Sequence, residues 1–217
     1  MFHVKHWLLR ALEMTDPTMS ALRDLRAIAE EVGQPIGEEG ADTLAQWAEL
    51  VITWRVAAQL TGVRTVEAVI RELMAPALYA LSVVETGPQV HIVDFGCGNG
   101  CTGISLAIAA GLGHWSLVDR DTKKLTFCRY ALSRCGIGGV EVLSPEEVGC
   151  RGRGADAVLA RALPRDGRAI AGAAQLLHDD GWIVRWVGGD EPTGVARTRR
   201  CGDAALWVVA EPKGCFT

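Results

Sequence analysis

Residues 91–111 read HIVDFGCGNGCTGISLAIAAG: a short apolar strand, a cluster of glycines at 96, 98, 100 and 103, and then an apolar helix. Glycines let the backbone turn sharply and come close to a ligand, and the helix that follows presents free amides at its start. The stretch is therefore expected to be a cofactor loop. Gly98, Gly100 and Gly103 satisfy G-x-G-x-x-G, so a dinucleotide is one candidate. The next apolar run, WSLVDR, places Asp119 at a strand end 19 residues beyond Gly100, where a carboxylate can accept hydrogen bonds from both hydroxyls of a ribose. Asp119 can also be an ordinary turn residue, and Asp94 a helix cap. Cys97 and Cys101, with His91 nearby, raise a zinc reading. His91 lies on the strand and the loop glycines already serve the turn, so no metal is expected.

Working outward, the chain changes character at Gly87-Pro88. Before it, apolar residues recur at helical spacing: Leu22, Leu25, Ile28 and Ala29, then Leu44, Trp47, Leu50, Val51 and Trp54. Gly33, Pro35, Gly37 and Gly40 separate these helices. A third helix is expected over 65–75, with Pro76 forcing a kink or a restart. After it come short apolar runs, VHIVDF, WSLVD, VEVL, ADAVLA, GWIVRWV and ALWVVA, the first several separated by helix-length segments. This alternation predicts an α/β fold with a parallel sheet, closed by WIVRWV and ALWVVA as an antiparallel edge. The expected division is a helical N-terminal region, 1–85, and a Rossmann-like domain, 86–217.

The 217 residues, 49% of them hydrophobic, suffice for a sizeable core, and the formal charge of −4 argues mildly against a nucleic-acid partner. Seven cysteines, an odd number without a C-x-x-C pair, are expected to be reduced thiols of a cytoplasmic protein. No apolar run approaches the ~18 residues of a membrane span, so no membrane partner is expected.

Asp94 stands two positions before the first glycine, and the resulting D-x-G-x-G-x-G resembles motif I of class I methyltransferases, favouring S-adenosylmethionine over a dinucleotide. Further segments extend the likeness from about Trp47 to Val209. WRVAAQLTGVR (54–64) resembles W-x-x-x-x-N-L-T-x-V-R, LVDRDTKKLTFCRYAL (117–132) resembles L-x-D-x-x-x-K-[KR]-x-x-F-L-R, and ADAVLARAL (155–163) resembles D-x-[VI]-x-[SA]-R-A. In this order, these segments are similar to the RsmG (GidB) family, bacterial methyltransferases acting on N7 of the guanine at position 527 of 16S ribosomal RNA. The resemblance implies a class I methyltransferase fold with an N-terminal helical extension, with S-adenosylmethionine as cofactor. It implies 16S RNA or the 30S particle as partner; a monomer is expected. Implied cofactor contacts are Asp94, Gly96, Gly98, Gly100, Cys101, Asp119, Glu146, Glu147 and Arg161, with Arg161 also beside the methyl-transfer face as the catalytic candidate. Arg64, Lys123, Lys124 and Arg129 are the implied RNA contacts; a solvated helix face explains the lysines equally well.

The chain departs from the family pattern on the substrate side. The [RK]-H-x-x-D-S element is replaced by IRELMAPAL, with Glu72 near the histidine's place. Val187-Gly188 stands for a lysine-glycine, and Ala204-Ala205 for an arginine-histidine. A methyltransferase of the same fold acting on another RNA or a small molecule, or a cofactor-binding or RNA-binding protein without catalysis, are the alternatives. The opening MFHVKH carries His3 and His6 without a third ligand nearby, and is expected to be a frayed terminus. One legal codon choice for it contains the palindrome TGTTTCACGTGAAACA, which resembles the chromosome-partition site bound by ParB-type proteins.

Overall fold

The computed structural model describes residues 16–150, 154–161, 168–192, 195–202 and 206–216. The opening MFHVKH lies outside them, as do Ala162, Ala204 and Ala205. The amphipathic N-terminal stripes form helices α1 (Asp16–Glu31) and α2 (Glu38–Trp54), burying Leu22, Leu25 and Ala29 from the first and Leu44, Trp47 and Val51 from the second. The third helix, α3, runs over 66–82 and does not stop at Pro76. An α-helical start, Val66–Ala68, widens into a π-helix, Val69–Met74, then returns to α over Ala75–Leu78 and tightens to a 3-10 turn at Tyr79–Ser82. The wide turn before Pro76 is how the backbone accommodates the ring and the missing N–H.

The sheet strands are β1 (His91–Phe95), β2 (His114–Val118), β3 (Val140–Leu143), β4 (Ala155–Ala160), β5 (Leu177–Gly188), β6 (Arg197–Arg200) and β7 (Leu206–Pro212). Their order is β3-β2-β1-β4-β5-β7-β6. The first five are parallel, β7 runs antiparallel to β5, and β6 antiparallel to β7. WIVRWV and ALWVVA thus pair as the sequence suggests, but they are not the edge. That place belongs to β6, RTRR, whose three arginines and one threonine hide it from an apolar pattern. Crossovers are α4 (Cys101–Ala110), α5 (Thr122–Cys135), α6 (Pro145–Cys150) and α7 (Arg168–Ala174).

One face of the sheet packs on α4, α5 and all three N-terminal helices in a single core, where Trp47, Ile70, Met74 and Leu78 meet Ile104, Leu117, Phe127 and Leu159. Residue 85 therefore separates two stretches of chain that share one hydrophobic interior. The other face, Val93, Val118, Val158 and Ile183, packs under α6 and α7. The chain winds away from β1 in one direction and from β4 in the other. This leaves a crevice at their carboxyl ends, the place where open α/β sheets bind ligands.

Candidate functional site

The glycine loop leaves β1 at this crevice. Gly96, Gly98 and Gly100 all have left-handed backbone, at φ +73°, +56° and +71°. The N–H groups of Gly96 and Cys97 both donate to the Val118 carbonyl, at 2.8 and 3.0 Å, which fastens the loop to the end of β2. The loop glycines divide by what surrounds them. Gly96 is exposed, and a Cβ on Gly98 would meet only the Gly96 carbonyl at 3.9 Å, so these two front open space. A Cβ on Gly100 would come within 2.8 Å of the Trp47 indole, and one on Gly103 within 2.5 Å of Leu117 and 3.0 Å of Asp94. Gly100 and Gly103 are therefore demanded by close packing of helix on strand.

Asp119 is nearly buried at the end of β2; its two carboxylate oxygens accept the N–H groups of Gly98 and Asp121, each at 2.9 Å. A carboxylate has about four acceptor positions, so Asp119 held in this way retains capacity for ribose hydroxyls. The fit for an adenosyl cofactor thus lies in the open backbone of Gly96 and Gly98 and the oriented carboxylate of Asp119. Asp94 lies beneath, its carboxylate accepting the Gly103 N–H at 2.8 Å. Burial pushes its pKa up to about 7, against the pull of that N–H and of the Arg161 guanidinium, while Asp119 adds to the rise. The structure gives Asp94 a place in tying helix α4 to β1.

Cys101 is turned into the core as the first residue of α4, and its N–H donates to Asn99 Oδ1 at 3.0 Å. Burial raises its thiol pKa. This placement gives Cys101 a packing role and leaves its side chain no surface for a cofactor contact. Glu147 is committed to a capping box: its carboxylate accepts the Ser144 N–H at 2.6 Å, and its own N–H donates to Ser144 Oγ at 3.3 Å. Arg129 reaches the same corner, donating to the Val142 carbonyl at 2.9 Å with Glu147 at 3.9 Å. Glu146, exposed like Glu147 in the first turn of α6, stands near the end of β3. Lys123 is exposed and Lys124 half-buried on α5, and Arg64 is exposed on the loop before α3.

Arg161, just past β4, is not a surface side chain. Its guanidinium donates to the main-chain carbonyls of Glu72 (2.7 Å) and Leu73 in α3 and lies over the Trp186 ring, 5.8 Å from the centroid. Burial lowers its pKa, opposed by Cys101, Asp94 and Cys201. Sequence reasoning missed this partnership, and also Asn99 and Trp47. Trp47 Nε1 donates to the Asn99 carbonyl at 2.9 Å, and Asn99 Nδ2 reaches the Leu60 carbonyl at 3.4 Å. An asparagine between loop glycines was the available signal, since its side chain caps local backbone. Val187 lies half-buried on β5, opposite Trp207.

At the opposite end of the sheet, where the parallel strands begin, a cleft of about 910 Å3 is lined by His91, His114, Ser116, Glu141, Asp156 and His178. His91 Nε2 and Ser116 Oγ are 3.0 Å apart, and His178 Nε2 is 2.8 Å from Asp156. Among the described residues no group of three or more His, Cys, Asp or Glu is arranged to hold a metal ion.

The strand order, the antiparallel β7, and a glycine loop facing a strand-end carboxylate define a class I S-adenosylmethionine-dependent methyltransferase. A solved structure of an MtNAS mutant in complex with S-adenosylmethionine shares the fold, with a TM-score of 0.50 at 15% identity, covering 87% of this chain and 76% of that one. The family is particular: residues 41–199 match the model of GidB, rRNA small subunit methyltransferase G, and the chain belongs to that family. It is 31% identical over 158 residues to ribosomal RNA small subunit methyltransferase G of Neisseria gonorrhoeae, covering 73% of this chain and 75% of that protein. The protein of the same name from Methylococcus capsulatus is 30% identical over 174 residues, covering 76% and 83%.

Proposed function

We propose that this chain transfers a methyl group from S-adenosylmethionine to N7 of a guanine in 16S ribosomal RNA, at position 527, in the bacterial cytoplasm and as a monomer. The observation that carries the reading is the meeting of Gly96, Gly98, Asp119 and Arg161 at the crevice between β1 and β4, in a chain of this family. S-adenosylmethionine supplies a methyl group on a sulfonium whose departure leaves a neutral thioether. N7 of guanine carries a lone pair and no proton, so a bound cofactor would require from the protein alignment of its methyl group with that lone pair and no general base. The protein's part is to hold and align. Gly96 and Gly98 let the backbone approach, Asp119 takes the ribose, Glu146 borders the adenine side, and Arg161 meets an anionic group.

Helix α5 supports an RNA partner despite the acidic whole. It carries Lys123, Lys124, Arg129 and Arg134 without one Asp or Glu, and its exposed side adds Thr126, Tyr130 and Ser133. Tyr130 lies beside Trp54, ring centroids 5.1 Å apart. Cations and an exposed aromatic ring on one helix suit a phosphate backbone with unstacked bases.

The test is mass mapping of 16S RNA from cells with and without the gene, together with methylation of that RNA or of 30S particles by the purified protein. N7-methylguanosine at position 527 only when the gene is present is the expected result. A methyl group already there in the deletion strain overturns it. The Lys123→Glu, Lys124→Glu double variant should raise the KM for RNA about tenfold and leave cofactor affinity unchanged. The substrate-side changes at Glu72 and Val187 favour a second reading, a methyltransferase of another RNA. Intact cofactor binding with unmodified 16S RNA selects it.

A further inference from the structure

Pro76 stands inside a continuous helical run, directly after the π-helical turn of α3. Proline has no N–H: the π register still carries the Ala75 N–H back to the Ile70 carbonyl, but where α3 returns to the α register the carbonyl of Glu72, four residues before Pro76, has no donor at position 76. Arg161 supplies one instead. Its Nη2 donates to the Glu72 carbonyl at 2.7 Å and its Nη1 to the Leu73 carbonyl, across 89 and 88 residues of chain. Trp186 of β5 completes the arrangement: Nε1 donates to the Pro76 carbonyl at 3.0 Å while the indole ring lies against the guanidinium. Glu72, whose residue is exposed, meets Arg161 only through its main chain in these contacts.

The chemistry of the clamp matters. Two carbonyls and an aromatic face fix the orientation of a guanidinium without neutralising it, whereas a carboxylate partner would spend its charge. The remaining N–H groups and the full positive charge stay available to an anionic group in the crevice, either the carboxylate of the cofactor's amino-acid portion or a phosphate of the RNA.

We infer that Pro76 is a positioning residue for methyl transfer: by withdrawing one backbone donor from α3 it reserves the Glu72 carbonyl for Arg161 and so aims the guanidinium at the crevice between β1 and β4. The inference rests on the reading of Arg161 as part of the cofactor or substrate site.

The test restores the missing N–H in two ways, Pro76→Ala and Pro76→Ser, and combines each with Arg161→Ala. Cofactor affinity is measured by calorimetry, kcat and KM with 16S RNA, and stability by thermal melting. Either proline variant should lower activity or cofactor affinity about tenfold to a hundredfold, since small misplacements of an aligning group cost that much. Melting should stay level or rise, because a helix interior prefers Ala or Ser to Pro. A merely structural proline predicts losses of stability and activity together. The double variants should be no worse than Arg161→Ala alone. A loss confined to cofactor affinity assigns the anion to the cofactor carboxylate, and one confined to the KM for RNA assigns it to a phosphate; both support the inference. Wild-type kinetics and affinity in both proline variants overturn it, as do losses that multiply with that of Arg161→Ala. If Arg161→Ala itself changes nothing, the reading of Arg161 falls first and the inference with it.

Discussion

Asp94 shows how a single buried carboxyl links the cofactor loop to pH. Its pKa in the folded chain stands near 7, against 3.8 for an ordinary aspartate, chiefly through desolvation. A raised folded pKa means that the protonated form is favoured by folding. The associated stability is full below about pH 4 and is lost as pH rises through about 7. His91 works in the opposite sense: burial holds its pKa below 6.5, so its contribution is present above 6.5 and is lost as pH falls. Asn at position 94 still accepts the Gly103 N–H and does not titrate. The Asp94→Asn variant should therefore lose the decline in stability between about pH 4 and pH 7, read as urea midpoints across that range. Midpoint curves of wild type and variant that run parallel would refute this account.

Among the elements, those built from side-chain pattern were legible and those built from backbone chemistry were not. Strands β1 to β4 appear as apolar runs because both faces are covered. The glycines announce the loop because three closely spaced left-handed residues are costly for any side chain that carries a Cβ. Strand β6 is four polar residues, three arginines and one threonine, so its place comes from pairing with β7 alone. The partners of Arg161 are main-chain carbonyls, and only Pro76 hints that one of them needs a donor. The end of α2 offers another case. Leu60 N–H bonds to the Arg55 carbonyl at 3.0 Å and Gln59 N–H to that of Val56 at 3.4 Å, closing a Schellman motif with Gln59 at the left-handed position, φ +51°. In the segment WRVAAQLTGVR this is where the family pattern has asparagine, a residue that tolerates left-handed backbone. Gln59→Gly or Gln59→Asn should stabilise the protein by about 0.5–1 kcal/mol, measured as a shift in urea midpoint with unchanged slope.

At the scale of the whole molecule, the change of composition at Gly87-Pro88 marks a change of element type and not a break in the core. The N-terminal helices expose apolar stripes that only the sheet-side helices cover, and Trp47 joins the two. It packs edge-on to Phe127 at 5.9 Å, borders Gly100 and bonds to Asn99. Unfolding should therefore be one transition, with far-UV circular dichroism and tryptophan fluorescence coinciding. Trp47→Ala should lower stability by about 3–5 kcal/mol and weaken cofactor binding with it. Two separated transitions would show that the helical region folds apart from the sheet. The outer strand of that sheet carries its own limit on growth. Arg197 lies over Trp182 at 4.3 Å and Arg199 pairs with Glu31, while Arg200 stands exposed on the other face. A second molecule adding a strand along β6 would have to set its side chains beside cations above and below the new ladder. Stacking of copies edge to edge is thereby discouraged, and added salt, by screening those charges, is the condition that relaxes it.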